Sequence, residues 1–174
     1  MNNPVSHIRG WLAEYTALRR DLHMHPELGF EEHRTAQIVA DRLTALGIEH
    51  HTGIGETGIV AVVRGRSETS GRTIGLRADM DALPMQEENE FAHKSRYDGR
   101  MHGCGHDGHT TMLLAAARYL AETRNFNGIA YLIFQPGEEG YAGAKAMIED
   151  GLFERFPAEQ VYALHNWPGL PPGR

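Results

Sequence analysis

The second half of the chain alternates between short apolar runs and helical patterns, and this alternation limits the folds open to it. Apolar runs at 73–78, 129–134 and 160–164 predict three strands. Helical spacing over 108–124 and 142–148 predicts the helices that separate them. A strand-helix-strand-helix-strand order requires crossover connections, which pair the strands in parallel. The sequence therefore predicts an α/β fold with a mainly parallel sheet flanked by helices.

The first part of the chain predicts two further helices. Apolar residues recur at helical spacing over 8–22, and Pro26 then ends this helix because proline lacks the N–H that a helix interior needs. A second apolar stripe begins near Glu31, and Gly47 provides a C-terminal cap. These helices add to the expected flanks of the sheet.

A strand and a long loop are expected in the middle of the chain. The apolar run 58–63 predicts a strand, and the polar, turn-rich segment 64–72 links it to the strand at 73–78. These two strands are therefore expected to form a hairpin. Residues 83–105 are polar and show no period, so they are interpreted as a loop, and long loops in compact domains are often functional.

Composition excludes several classes of protein. A chain of 174 residues with 41% hydrophobic and 23% charged residues suits one globular domain with a sizeable core. A net charge of −6 gives no support for a nucleic-acid or anionic-membrane partner, and no apolar run approaches the length of a membrane span. The single cysteine and the absence of a leader pattern at residues 1–4 indicate a reducing, cytoplasmic location.

The strongest chemical signal is the segment 101–109, which reads Met-His-Gly-Cys-Gly-His-Asp-Gly-His. Its glycines allow the backbone to fold tightly and to bring side chains together. Cysteine and histidine are the ligands that zinc and similar metals prefer. Because the segment precedes a helix, the helix dipole is also expected to favour a thiolate at Cys104. The alternative is a polar loop whose histidines only form hydrogen bonds.

Three further polar motifs follow predicted strands. Glu138 and Glu139 follow the strand at 129–134, Asp81 follows the first strand of the alternating region, and His165 follows the last. Each motif also fits a simple role, as a solvated acidic turn, a capping aspartate or a structural histidine. Ligands in open α/β sheets bind at the carboxyl ends of the strands, however, and all of these residues lie there. Their coincidence indicates a metal centre.

The sequence thus supplies a set of candidate ligands and two helpers. The ligands are a thiolate, two imidazoles and a carboxylate, from Cys104, His106, Glu139 and His165. Glu138 stays free as a general base, and Asp81 can orient a metal-bound imidazole. The His-Met-His motif at 23–25 ends a helix, where residues two apart do not face each other, so it is interpreted as structural.

Five segments of the chain, taken together, resemble a known family. They are 19–32, 76–84, 101–109, 134–140 and 165–166. They resemble, in the same order, the motifs of the metal-dependent aminoacylase and carboxypeptidase family, in its branch of hippurate hydrolases and auxin-conjugate amidohydrolases. The resemblance implies a phosphorylase/hydrolase-like fold and hydrolysis of the amide bond of an N-acyl amino acid.

The resemblance also implies a cofactor and roles for individual residues. Family members hold two divalent ions, which are zinc, manganese, cobalt or nickel depending on the member. The matching ligand positions are Cys104, His106, Glu139 and His165. Glu138 matches the general base, and Asp81 is similar to the family's aspartate behind the ligands.

Family members are longer than this chain. The resemblance therefore implies that residues 1–174 are the N-terminal part of a catalytic domain. The lid or dimerisation domain, the last strands of the sheet and one more histidine ligand are expected to lie outside it. Longer relatives are often homodimers through the domain that is missing here.

Two alternatives to a metal-dependent enzyme stay open. In the first, Cys104 is a nucleophile with His106 or His109 as its base. This mechanism leaves Glu138 and Glu139 without roles. In the second, the chain is a metal-binding fragment or assembly subunit without activity of its own. A chelator distinguishes the first alternative, and the substitution Glu138→Gln distinguishes the second.

Overall fold

The computed structural model describes residues 3–171. The strands are β1 (Glu49–Ile54), β2 (Gly58–Arg64), β3 (Thr73–Asp79), β4 (Ile129–Gln135) and β5 (Gln160–Ala163). The helices are α1 (Pro4–Arg9), α2 (Leu12–Met24), α3 (His33–Ala45), α4 (His106–Thr123), α5 (Gly143–Glu149) and α6 (Leu152–Arg155). The expectation that residues 1–4 carry no leader pattern falls partly on residues outside the described range. No helix in that range is long and apolar enough to cross a membrane.

The five strands form one mixed sheet in the order β1-β2-β4-β3-β5. β3 pairs in parallel with β4 and with β5, as the alternating pattern predicts. β2 pairs antiparallel with β4 and with β1. The α/β class and the parallel pairing of the last three strands are therefore confirmed.

The hairpin expected between β2 and β3 is wrong, because β4 lies between them. β4 is buried from its second residue to its last, so both of its edges need a hydrogen-bonded partner. The polar connection after β2 makes no tight turn. Instead, the N–H of Gly65 donates to the carbonyl of Gly128, 3.0 Å away, which ties the end of β2 to the start of β4.

Two local elements differ from the sequence expectation. The first predicted helix is split into α1 and α2, because Gly10 ends α1 by donating its N–H to the carbonyl of His7 at 3.1 Å. β1 is not predicted, because its sequence is polar and lacks an apolar alternation. It pairs as an edge strand with β2, and the true hairpin is β1–β2.

The side chains of the central strands alternate between two hydrophobic clusters, one on each face of the sheet. One cluster packs the sheet against α2, α3 and α4; it includes Leu22, Leu43, Leu114, Leu132 and Phe134. The other packs it against α5 and α6; it includes Val60, Ile133, Met147, Leu152 and Phe156. The sheet is thus covered by helices on both faces, and the residues that follow β3, β4 and β5 meet at one edge.

Candidate metal centre

Two groups of possible metal ligands meet at the carboxyl edge of the sheet and share His106. One group is Cys104, His106 and His165, and the other is His106, Glu138 and Glu139. Within each group, the ligand atoms lie within 4.8 Å of one another. The structure therefore brings together all four candidate ligands and the candidate base.

His106 is the fully buried first residue of α4. Its Nδ1 lies 2.8 Å from the carbonyl oxygen and 3.2 Å from Oδ1 of Asp81. Both partners are acceptors, so Nδ1 carries a hydrogen and Nε2 is the nitrogen available to a metal ion. Burial lowers the pKa of His106, but the hydrogen bond to Asp81 and the neighbouring carboxylates outweigh it and raise the pKa overall, so a metal ion at Nε2 would compete with a proton. Among the described residues Nε2 has no hydrogen-bond partner, and it lies 3.7 Å from Oε1 of Glu139 and 3.9 Å from Oε2 of Glu138.

Asp81 connects this imidazole to the turn that bears both glutamates. Its Oδ2 accepts a hydrogen bond from the backbone N–H of Glu139 at 2.9 Å. Burial has the largest influence on the pKa of Asp81 and raises it, but the hydrogen bonds from His106 and the backbone of the turn outweigh it and lower the pKa overall. Asp81 is therefore ionised, and it fixes both the tautomer of His106 and the position of Glu139.

The pair His106 and Glu139 fits a metal ion. Oε1 of Glu139 is buried and, within residues 3–171, has no hydrogen-bond partner either. Two ligand atoms that each lie about 2.1 Å from a zinc ion are at most about 4.2 Å apart. The observed separation of 3.7 Å is within this limit. Two orphaned polar atoms at this distance are costly unless a cation lies between them.

Cys104 and His165 complete the candidate ligand set on its exposed side. Sγ of Cys104 lies 3.3 Å from Nε2 of His165. Burial, followed by the neighbouring carboxylate of Glu139, raises the pKa of Cys104 to about 12. The expectation of a thiolate favoured by the α4 dipole is therefore wrong without a cation, because nearby carboxylates dominate. A bound metal ion would displace the thiol proton.

A third group of possible ligands is Asp79, His106 and His109, and the sequence did not single out Asp79 as one of them. Asp79 ends β3, and its Oδ1 lies 2.6 Å from Nδ1 of His109. Its Oδ2 lies 2.8 Å from Nη1 of Arg77 and 3.5 Å from Nε2 of His106. Burial is the largest influence on the pKa of Asp79, but His109 and the two neighbouring cations lower it overall. The one available signal was the spacing of Asp79 and Asp81, two apart at a strand end.

The His-Met-His motif lies away from this centre. Nδ1 of His23 lies 2.8 Å from Oδ2 of Asp107, and its Nε2 lies 3.1 Å from Oε1 of Glu87. Nδ1 of His25 lies 2.7 Å from the carbonyl oxygen of Asp21. The two imidazoles have separate partners, as expected for residues two apart at a helix end.

Comparison with known proteins agrees with this fold. The sequence profile of peptidase family M20/M25/M40 matches residues 75–174. The chain is 51% identical over 166 residues to hippurate hydrolase of Campylobacter jejuni. The aligned region covers 95% of this chain and 43% of that protein. It is 44% identical over 158 residues to an IAA-amino acid hydrolase of Arabidopsis thaliana, which covers 90% of this chain and 35% of the relative.

A solved structure from Bacillus subtilis, described as a dinuclear metal-binding peptidase of the M20 family, superposes with a TM-score of 0.87. The identity is 38%, and the match covers 94% of this chain and 45% of that one.

The chain belongs to peptidase family M20/M25/M40, and its ligand cluster has donors that suit the divalent metal ions of such a family. Within that family it is similar to hippurate hydrolase and IAA-amino acid hydrolases, which confirms the resemblance found in its motifs. The chain spans less than half of the length of these relatives.

Proposed function

We propose that this chain carries most of the ligand set of a metal-dependent amidohydrolase that cleaves N-acyl amino acids, including hippurate-like substrates. The observation that carries the proposal is the buried Nε2 of His106, which faces the buried Oε1 of Glu139; within residues 3–171 neither atom has a hydrogen-bond partner. The relatives named as hydrolases of hippurate and of IAA-amino acids support the substrate class.

Two divalent ions are proposed as the cofactor, zinc or manganese first and cobalt or nickel as substitutes. The residues that would hold them are Cys104, His106, Glu139 and His165. A thiolate, two imidazoles and a carboxylate form a donor set that these ions accept. Ions bound there would supply Lewis-acid chemistry, which acidifies water and polarises an amide carbonyl. The dinuclear relative from Bacillus subtilis supports the number of ions.

Glu138 is proposed as the general base. Its side chain is 43% exposed, and its Oε2 lies 3.9 Å from Nε2 of His106, so it faces both solvent and the ligand cluster. It would take a proton from the water that attacks the amide carbon and pass this proton to the leaving amine nitrogen. The C–N bond breaks, and the products are a carboxylic acid and a free amino acid.

The geometry favours this mechanism over attack by the thiol. Sγ of Cys104 contacts His165, whereas Nδ1 of His106 faces Asp81 and Nδ1 of His109 faces an aspartate of its own. A thiol whose pKa is raised to about 12 also holds its proton firmly. Among the described residues, Sγ forms its hydrogen bond with His165 and with neither of the two histidines considered as its base.

A second candidate function is metal binding without hydrolysis. The observation that favours it is length, since the chain covers 43% of hippurate hydrolase of Campylobacter jejuni. We therefore propose residues 1–174 as the N-terminal part of a catalytic domain. The lid, a further histidine ligand and any dimer contact would belong to the remaining part, and a cytoplasmic location is part of the same proposal.

Glu138→Gln tests the proposed base, with Glu149→Gln as its control. Glu149 is an exposed glutamate on α5, with a side chain that is 67% accessible. The metal content and the release of glycine from N-benzoylglycine are measured for each variant. Glu138→Gln should keep its metal and lose about 100-fold or more of its turnover, because general base catalysis is removed. The control should match the unsubstituted chain.

Each other result of this experiment has a distinct meaning. Turnover that survives in Glu138→Gln contradicts the assigned base. Metal binding without turnover in any variant, the unsubstituted chain included, establishes the second candidate function. Turnover that survives complete removal of metal by a chelator returns the thiol mechanism to consideration.

A further inference from the structure

Glu32 is a fully buried carboxyl group that lies just before α3 and has no role in the proposed reaction. Its Oε1 accepts a hydrogen bond from the backbone N–H of Gly137 at 2.7 Å. Its Oε2 accepts a hydrogen bond from the hydroxyl of Thr57, in the β1–β2 turn, at 2.6 Å. One side chain therefore joins three separate parts of the chain.

Gly137 is the residue immediately before the proposed base. Two residues later, the N–H of Glu139 donates to Asp81 at 2.9 Å. The turn that presents Glu138 and Glu139 is thus held from beneath by two buried carboxyl groups, which come from different segments. Since a backbone shift at Gly137 would move both glutamates, the Glu32 contact bears directly on their distance from His106.

The segment 27–32 makes further contacts with both loops of the site. The N–H of Ala82 donates to the carbonyl of Glu27 at 2.8 Å. The ring of Phe30 packs edge-on against Tyr141, with their centroids 6.2 Å apart. A Cβ atom at Gly29 would overlap the ring of Tyr141, so the backbone at Gly29 lies as close to this ring as glycine permits. The segment is therefore fixed against the loops that carry Asp81 and the two glutamates.

We propose that Glu32 is a positioning residue, which acts through Gly137 to set the place of Glu138 and Glu139 relative to His106. The role of Glu138 in this statement rests on the proposed function, whereas the role of Glu139 rests on metal binding alone. Glu32 touches neither a ligand atom nor the reacting groups, and its effect is transmitted by the backbone of the turn. Hydrogen-bond partners behind ligands commonly change metal affinity about 10-fold to 100-fold when they are removed.

The test compares Glu32→Leu and Glu32→Gln with Glu31→Leu. Leucine removes the acceptor for Gly137 at similar size. Glutamine keeps an acceptor for Gly137 and can donate its amide to the oxygen of Thr57. Glu31 is the adjacent control, with a side chain that is 55% exposed and paired with Arg100.

Cobalt(II) is the probe, because its ligand-field spectrum reports the geometry of the ligand set without any need for turnover. Glu32→Leu should bind cobalt about 10-fold or more weakly and with an altered spectrum. Glu32→Gln should stay within about threefold of the unsubstituted chain, because its hydrogen bonds are kept. Glu31→Leu should match the unsubstituted chain. In any Glu32 variant that hydrolyses N-benzoylglycine, the substitution should lower kcat and leave KM nearly unchanged.

A folded Glu32→Leu with unchanged cobalt affinity and spectrum would overturn the proposal. If Glu32→Leu does not fold, Glu32→Asp decides, because it keeps the carboxylate but withdraws it by one methylene. An unchanged spectrum in that variant would also overturn the proposal, and an altered one supports it. If the unsubstituted chain does not bind cobalt, both the proposed metal centre and this proposal are overturned. If the unsubstituted chain binds cobalt but does not hydrolyse N-benzoylglycine, only the proposed catalytic function is contradicted. The cobalt spectra of the Glu32 variants then still decide whether Glu32 is a positioning residue.

Discussion

The candidate metal centre has a buried side and an exposed side, and the two are built differently. His106 is fully buried, and Asp81 fixes its tautomer and orientation. His165 follows β5, a strand whose four residues are all exposed, and it holds its place through Sγ of Cys104 and the backbone oxygen of Asn166. On the buried side, burial and fixed hydrogen-bond partners hold the side chains in place before any ion binds. On the exposed side, the position of His165 depends on few contacts.

The largest expected effect is at the group that organises the buried side. Asp81→Ala would leave the N–H of Glu139 without its acceptor, and Nδ1 of His106 would keep only the backbone carbonyl of residue 81. We expect a loss of about 3 kcal/mol in the free energy of unfolding and of about 10-fold to 100-fold in zinc affinity. Urea denaturation and a zinc competition titration measure the two quantities. Asp98→Ala, at an exposed aspartate, serves as control. Equal values for the two variants would show that Asp81 organises nothing.

The difference between the sides is tested next by matched histidine substitutions in metal-free protein. His106→Ala removes a buried ring and leaves Asp81 without its N–H donor, so we expect a loss of about 2 kcal/mol or more in the free energy of unfolding. His165→Ala removes an exposed ring and should cost less than about 0.5 kcal/mol. Both variants should bind zinc more weakly. Equal destabilisation by the two substitutions would contradict the distinction between a buried and an exposed side.

The smallest effect expected is a pH dependence from the buried His23 network. The hydrogen bond to Asp107 is the largest influence on the pKa of His23 and raises it, assisted by Glu87 against the opposing effect of burial. A raised pKa means that this stabilisation is complete below the ordinary pKa of histidine and is lost as pH rises through the higher folded value. In His23→Gln, the free energy of unfolding should therefore decrease less steeply as the pH rises above the ordinary pKa of histidine.

The acid side of the same profile depends on Glu87. Burial raises the pKa of Glu87, but the N–H of Ser95, the amide of Asn89 and His23 outweigh it and lower the pKa overall. Its stabilisation is present above the ordinary pKa of glutamate and is lost as pH falls through the lower folded value. Chemical denaturation over a pH series measures both limbs, with His165→Gln as the exposed control. Identical profiles for His23→Gln and the unsubstituted chain would contradict this account.

The ligand cluster could be predicted from the sequence because its parts follow strands. Motifs after β3, β4 and β5 meet at one edge of any sheet in which those strands are parallel, and the segment before α4 is rich in ligand residues. The segment spacing therefore placed Cys104, His106 and Glu139 together without coordinates. It could not show that Asp79 and His109 form a further group of possible ligands with His106, because strand-end aspartates also serve as caps.

Contacts between distant parts of the chain set the limit of sequence reasoning. The polar segment between β2 and β3 has the composition of a hairpin turn, yet β4, which comes later in the chain, takes the place between them. The contact from Glu32 to Gly137 joins residues 105 positions apart and leaves no local pattern. β1 was missed because an edge strand can be polar on both faces, and only its pairing with β2 reveals it.

The metal content of the purified chain tests the central claim most directly. The chain is purified without added metal, then loaded with zinc or manganese, desalted and analysed for elements, alongside His106→Ala. We expect about two divalent ions per chain, as in two-metal hydrolytic sites, and their loss in His106→Ala. A chain that retains no ion after loading, or that retains as much in His106→Ala, would contradict a metal centre built around His106.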